Sequence, residues 1–339
     1  MADNDKNKDT AKEVDTVKEG FKILSNGWSK QIILYGPPGT SKTYSAAIIA
    51  AKLLLEKGKK ASDELLQIKN KPSITHDDAE KVLKAYEGQY RMVQFHPAYT
   101  YEDFVRGITV KANGGNISYE VEAKVFETFC KDCNHETPKV LVIDEINRAP
   151  LSSVLGELIY GLEYRGKPIS TPYALEKEGY TFTVPEDLYI IGTMNTADRS
   201  IGTIDYAVRR RFAFLPVGPN PNCIAATWNN EAIGKAANNY YGIISGIFKK
   251  GSKYLKEGVD GEDIAIGHTY FLGPKDCSGK EEADLKKYLE EYLNFRMRYQ
   301  VKPILEEYVK DGLLDESLTK SEEWKKLFVN RQELKKDEK

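Results

Sequence analysis

No apolar run in this 339-residue chain approaches the roughly 20 residues that cross a bilayer, which excludes a membrane-spanning helix. The opening residues, MADNDKNKDT, carry charge where a secretory signal carries an apolar stretch, so no export signal is read there. A cytoplasmic protein is expected. Cysteine is scarce: four residues, which suits a reducing compartment rather than a disulfide scaffold. Cys130 and Cys133 form a C-x-x-C with His135 close by, but Cys223 and Cys277 stand alone and no H-x-x-H follows. The four ligands of a structural zinc are therefore lacking, and the pair is read as two half-buried thiols at a helix end. The formal net charge is −2, so no long-range field draws the chain to nucleic acid, although a local basic patch stays open. No internal repeat of 20–50 residues is found, which argues against a solenoid.

What the chain does have is a punctuated stretch near its start, QIILYGPPGTSKT, from Gln31 to Thr43. An apolar run, Ile32 to Tyr35, stops at Gly36-Pro37-Pro38-Gly39-Thr40-Ser41, and Lys42-Thr43-Tyr44 open a helical segment reaching Glu56. Strand, glycine turn and helix start outline a phosphate-binding loop, in which successive backbone N–H groups and the helix dipole face an anion; the other reading is an ordinary Gly/Pro turn before a helix. Lys42 then reaches the β- and γ-phosphates, and the Thr43 hydroxyl ligates Mg²⁺. Serine stands at position 41 where the G-x-x-x-x-G-K-[ST] pattern has glycine. If that position is left-handed, the serine costs about 1 kcal/mol.

A second signal is Val140-Leu141-Val142-Ile143, a β-branched run expected of a strand buried on both faces, which ends in Asp144-Glu145. Burying unpaired charge is costly, so two carboxylates at such a strand end point to chemistry. Asp144 is expected to hold Mg²⁺ through its water shell and Glu145 to polarise an attacking water. A third buried strand, Leu188 to Thr193, runs into Met194-Asn195-Thr196-Ala197-Asp198-Arg199. Asn195 either orients water or senses the γ-phosphate, or else makes an Asx turn. A helix over Ile204–Val208 follows, closing in Arg209-Arg210-Arg211. The arginines either complement that helix's dipole or reach a neighbouring subunit's phosphates.

Around these lie an amphipathic lead-in, with Val14, Val17, Phe21 and Leu24 at helical spacing, and a short strand over Met92–Phe95. Trp28 is read as a packing residue, with stacking on a base as the other option. Asn113–Asn116 marks a loop or hairpin tip, residues 153–164 read as helix, and 167–183 as a hairpin turning near Gly179. From Pro216 the character changes to a proline-rich linker and helical stretches at 222–250 and 281–312, the second ended or kinked by Pro303.

Together these residues resemble AAA+ NTPases, and more narrowly the McrB family of GTPases from modification-dependent restriction systems. The resemblance rests on GPPGTSKT (36–43), QFHPAYTYEDFVRG (94–107), VLVIDEINRAPLSSVLGELI (140–159), LYIIGTMNTADRSIGTIDYAVRRRF (188–212) and IGHTYF (266–271). It implies an α/β fold, a P-loop AAA+ core with a mostly parallel sheet flanked by helices, and a small C-terminal α-helical lid. The implied domains are a charged tail at 1–18, the AAA+ domain at 19–218, the lid at 219–325 and a charged tail at 326–339. Lys42 and Thr43 take the phosphate and metal roles, Asp144 and Glu145 the second acidic motif, and Asn195 the first sensor. Asp205 and Arg209–Arg211 fall where the family places trans-acting contacts, with Arg210 and Arg211 as finger candidates. Family members form hexameric rings, bind GTP with Mg²⁺, and are stimulated by a McrC-type nuclease that cuts DNA. The family's N-terminal DNA-recognition domain is not expected within this chain, nor is a nuclease. Two other functions stay open: an ATP-driven, MoxR- or dynein-like remodeller of protein assemblies, and a weakly hydrolysing nucleotide-gated scaffold prompted by Ser41.

Overall fold

The computed structural model describes residues 15–59, 62–113, 116–131, 138–198, 204–275 and 282–328. Cys133, His135, Cys277 and Arg199 lie outside the described residues. The chain forms two compact units, one holding the residues up to Tyr35 and Lys42–Pro216, the other Gly36–Ser41 and everything from Val217. No helix among the described residues is long and apolar enough to cross a membrane.

In the first unit, helix α1 (Asp15–Ser25) leads into strand β1 (Gln31–Gly36), whose Ile32, Ile33 and Leu34 are wholly buried. Helix α2 (Lys42–Lys57) follows, then α3 (Asp63–Lys69) and α4 (His76–Ala85), the last started by a Thr75–Asp78 capping box. Strand β2 (Tyr90–Gln94) precedes α5 (Tyr101–Phe104), the hairpin β3 (Arg106–Asn113) and β4 (Asn116–Ala123), and α6 (Val125–Lys131). Strand β5 (Lys139–Asp144) is followed by α7 (Leu151–Leu155), α8 (Leu158–Glu163) and the hairpin β6 (Pro168–Leu175) and β7 (Gly179–Thr183). The helix expected over 153–164 is thus broken at Gly156, which stands at φ +51 beside the Tyr101 ring. Strand β8 (Leu188–Asn195), α9 (Tyr206–Arg209) and β9 (Ala213–Pro216) complete the unit.

The sheet order is β2-β5-β8-β1-β9, with β2, β5 and β8 mutually parallel and β9 parallel to β1. This is the expected α/β architecture. β5 and β8 are buried along nearly their whole length, as their unbroken apolar runs require. The edge strand β2 exposes Met92, and Phe95 lies just beyond its end, so this strand starts two residues earlier than Met92. β9 was not expected: its four residues follow the arginine cluster after Phe212. Trp28, expected to pack, is instead 63% exposed, with the Lys22 ammonium 5.1 Å over its ring.

One buried ion pair ties the two hairpins to α6. Arg106, fully buried, donates to both oxygens of fully buried Glu127. It also donates to Thr171 Oγ1 (2.6 Å) and to the carbonyls of Tyr173 (2.8 Å), Gly179 (2.9 Å) and Thr181 (2.8 Å). Every guanidinium direction is therefore used. Removing Arg106 leaves buried Glu127 with only the half-exposed Lys131 ammonium, 3.4 Å away, to offset its charge. Arg106→Ala should cost about 3–5 kcal/mol in chemical denaturation, and the joint Arg106→Met/Glu127→Leu replacement much less. A double variant as unstable as the single would refute this account.

The second unit is helical beyond its loop: α10 (Glu231–Ile247), α11 (Gly261–Ile264), α12 (Glu282–Arg296), α13 (Lys302–Lys310) and α14 (Glu322–Phe328). Pro303 does not end the helix. It cannot donate to the carbonyl four residues back, and the turn before it, Met297–Val301, is wound as π-helix.

Candidate nucleotide site

Within the second unit, the turn after β1 is bonded to itself and to the segment 266–271. Thr40 Oγ1 donates to Pro37 O (3.1 Å), and Gly267 and Thr269 N–H donate to Pro38 O (2.9 Å) and Gly39 O (3.0 Å). The approach is so close that a Cβ on Gly267 would lie 1.9 Å from Gly39 O. Gly39 takes φ +75 and Ser41 φ +65, so the serine occupies the left-handed conformation that favours glycine. Its Oγ lies 3.2 Å from His268 Nε2.

In the first unit, α2 opens on Lys42 and Thr43, beside the ends of β5 and β8. Burial pushes the Lys42 ammonium down to about 8, against the attraction of Glu145 and Asp144. A phosphate anion would offset that desolvation. Thr43 Oγ1 donates to Asp144 Oδ1 (2.8 Å), and Thr193 Oγ1 donates to the same oxygen (2.6 Å). Thr193 Oγ1 accepts in turn from the Glu145 N–H (3.1 Å). With its hydrogen given to Asp144, Thr43 keeps its lone pairs for a cation. Hydroxyl and carboxylate oxygens are the hard donors that Mg²⁺ takes, so these residues fit the ion.

Glu145 stands at φ +53, one of two non-glycine residues with positive φ among those described. Such backbone costs of order 1–3 kcal/mol and gathers at functional sites. Its carboxylate accepts from Arg148 Nε (3.2 Å), and Arg148 also pairs with Asp198 (3.5 Å). Thr193 and Arg148 were given no role in the sequence; Gly267-His268 were read there as candidate contributors to base choice, and the structure instead sets His268 against Ser41 of the phosphate loop. Thr193 follows Gly192, which faces Ile143 in the β5–β8 ladder, and this brings its hydroxyl to Asp144.

Asn195 ends β8 and makes the Asx turn, its Oδ1 accepting from Ala197 N–H (3.2 Å), which leaves Nδ2 as a donor. Tyr44 turns its ring onto His76 (5.0 Å, stacked). Asp205 caps α9, accepting from Val208 N–H (2.8 Å) and from the Ser152 hydroxyl, which hold its carboxyl below the usual range. The arginines diverge. Arg209 lies over the Phe214 ring (5.2 Å), and Arg211 is held by Glu163 and the Ala207 carbonyl with its side chain 9% exposed. Arg210 is 68% exposed and stands 3.7 Å from Glu163.

A lysine and threonine opening a helix, beside a carboxylate pair at the end of a buried parallel strand, define a P-loop NTPase domain of the AAA+ class. The family model for the AAA domain (dynein-related subfamily) matches residues 76–212. The chain is 33% identical over 290 residues to the type IV methyl-directed restriction enzyme EcoKMcrB subunit of Escherichia coli (strain K12), covering 83% of this chain and 54% of that protein. It belongs to the McrB family of AAA+ proteins. It spans about half the length of that relative. A solved structure of a candidate ATPase from Cytophaga hutchinsonii aligns with 59% of this chain and 48% of its own, at 18% identity and a TM-score of 0.32.

Proposed function

We propose that this chain is the GTP-hydrolysing motor of a McrBC-like restriction system active against phage in the cytoplasm. It works as a homo-oligomeric ring, a hexamer, that couples hydrolysis to movement on DNA and activates a McrC-like nuclease subunit. The observation that supports this best is the shared Asp144 oxygen, which receives both the Thr43 and the Thr193 hydroxyl beside Glu145.

The division of labour follows from the residues. The loop Gly36–Ser41 offers backbone N–H groups to the phosphates, and Lys42 supplies a cation to the β- and γ-oxygens. Thr43 and Asp144 would hold Mg²⁺, which when bound neutralises charge on the phosphates. Glu145 accepts the proton of the attacking water, and Asn195 Nδ2 orients that water or the γ-phosphate. Arg210 of an adjoining copy would meet the charge developing on the transferring group. Residues 219–325 serve as the lid.

Calorimetry and turnover with GTP and ATP side by side test the reading. GTP is expected to bind in the presence of Mg²⁺ and turn over faster than ATP. Lys42→Ala should weaken binding about 10²-fold, the loss of a charge-assisted contact. Equal or better turnover of ATP would replace the GTP assignment by an ATP-driven remodeller, and no affinity for either would end the nucleotide reading. Electron microscopy with a non-hydrolysable GTP analogue should show closed rings of six, and added McrC-type subunit should raise the rate.

A further inference from the structure

Serine at position 41 is an expensive choice of residue, because φ +65 is left-handed and glycine would adopt it without strain. Its hydroxyl is held in place. His268 is 5% exposed, and burial pushes its pKa down to about 4, so at pH 7 the ring is neutral and carries a single N–H. Nδ1 accepts the backbone N–H of Asn220 at 3.1 Å, which places the lone pair there and the hydrogen on Nε2. The 3.2 Å contact to Ser41 therefore runs from Nε2–H to Oγ. The serine keeps its own hydrogen, and among the described residues no acceptor takes it. His268 is itself fixed by its neighbours: Gly267 and Thr269 donate to the loop carbonyls of Pro38 and Gly39, and Arg296 donates to the carbonyls of Tyr270 (3.1 Å) and Thr269.

We propose that Ser41 binds the nucleotide directly, its hydroxyl donating to an oxygen of the phosphate chain, with His268 as the positioning residue that fixes the hydroxyl's direction. An oxygen that already accepts a hydrogen bond is the better donor for doing so, and a phosphate oxygen makes the new bond charge-assisted. The loop thereby gains a side-chain donor where a glycine loop offers only its backbone. This rests on the nucleotide reading above.

The test compares Ser41→Gly and Ser41→Ala in the full chain. Affinity is measured by calorimetry with Mg²⁺ and a non-hydrolysable analogue of whichever purine triphosphate the wild type binds. Both variants should bind about tenfold more weakly, the loss expected of one hydrogen bond to a charged group. Thermal unfolding without nucleotide separates them: Ser41→Gly should melt above the wild type, and Ser41→Ala should not. His268→Phe keeps a ring but removes the donor. It should weaken binding less than Ser41→Ala, and the double variant should bind no more weakly than Ser41→Ala alone, because both changes act on one hydroxyl. A purely structural tether would instead lower the melting temperature in all three and leave affinity unchanged. Wild-type affinity in Ser41→Gly would overturn the proposal while leaving the nucleotide reading intact. A wild type without affinity for any triphosphate would overturn both.

Discussion

Mixing Arg210→Ala protomers with Lys42→Ala protomers is expected to restore hydrolysis that neither variant shows alone. Homogeneous Arg210→Ala should lose about 10³–10⁵ in turnover, the range for an arginine supplied across an interface, and homogeneous Lys42→Ala fails instead at nucleotide binding. In a mixed ring, an Arg210→Ala subunit with an intact Lys42 receives Arg210 from a neighbour whose own phosphate site is disabled. Arg210 is the better of the two finger candidates. Its side chain is exposed and its contact with Glu163 is a long surface pair, worth at most about 1 kcal/mol. Arg211 is committed to Glu163 and to the Ala207 carbonyl. Steady-state hydrolysis across a series of mixing ratios is the readout. No rescue at any ratio would leave Arg210 acting in cis or not at all.

Glu145→Gln is expected to lower turnover by about 10²–10⁴ while leaving the triphosphate dissociation constant within a few-fold of wild type. General-base help is of that size, and the amide keeps the shape of the carboxylate but cannot take a proton. The geometry favours this residue over Asp144, whose Oδ1 is already occupied by two hydroxyl donors. Glu145 instead meets Arg148, on the side that also faces Asp198. Single-turnover hydrolysis and equilibrium binding on the same preparation separate the two effects. If turnover fell by less than about threefold, the nucleotide-gated scaffold would become the better reading.

The central strands were legible because they are buried on both faces and therefore spelled without interruption, as in Val140–Ile143 and Leu188–Ile191. β9 was not. Its four residues include two half-buried positions, and its partner strand lies about 180 residues upstream, so no local pattern marks it. The strain at Ser41 could be foreseen from the glycine it displaces, but the bond to His268 joins positions 227 apart in sequence and needed coordinates. Asn195 had two readings, and the Asx turn is made without consuming its amide donor. Among the arginines, type and spacing said nothing of which one Glu163 would hold. That distinction came from burial together with the contacts of Glu163 and the Ala207 carbonyl.

The pairing of β9 with β1 joins two ends of the chemistry. Ile32 to Tyr35 lie in register with Ala213 to Pro216, so the strand that delivers the phosphate loop is hydrogen-bonded to the strand that leaves the arginine cluster. Gln31, the first residue of β1, adds a side-chain bond to the Arg211 carbonyl at 2.7 Å. A push felt by Arg210 on a neighbour's triphosphate would then travel through a stiff backbone ladder to the same subunit's own loop. In the ring proposed above, this ladder would tie the arginine presented to one neighbour to the loop that holds the subunit's own nucleotide.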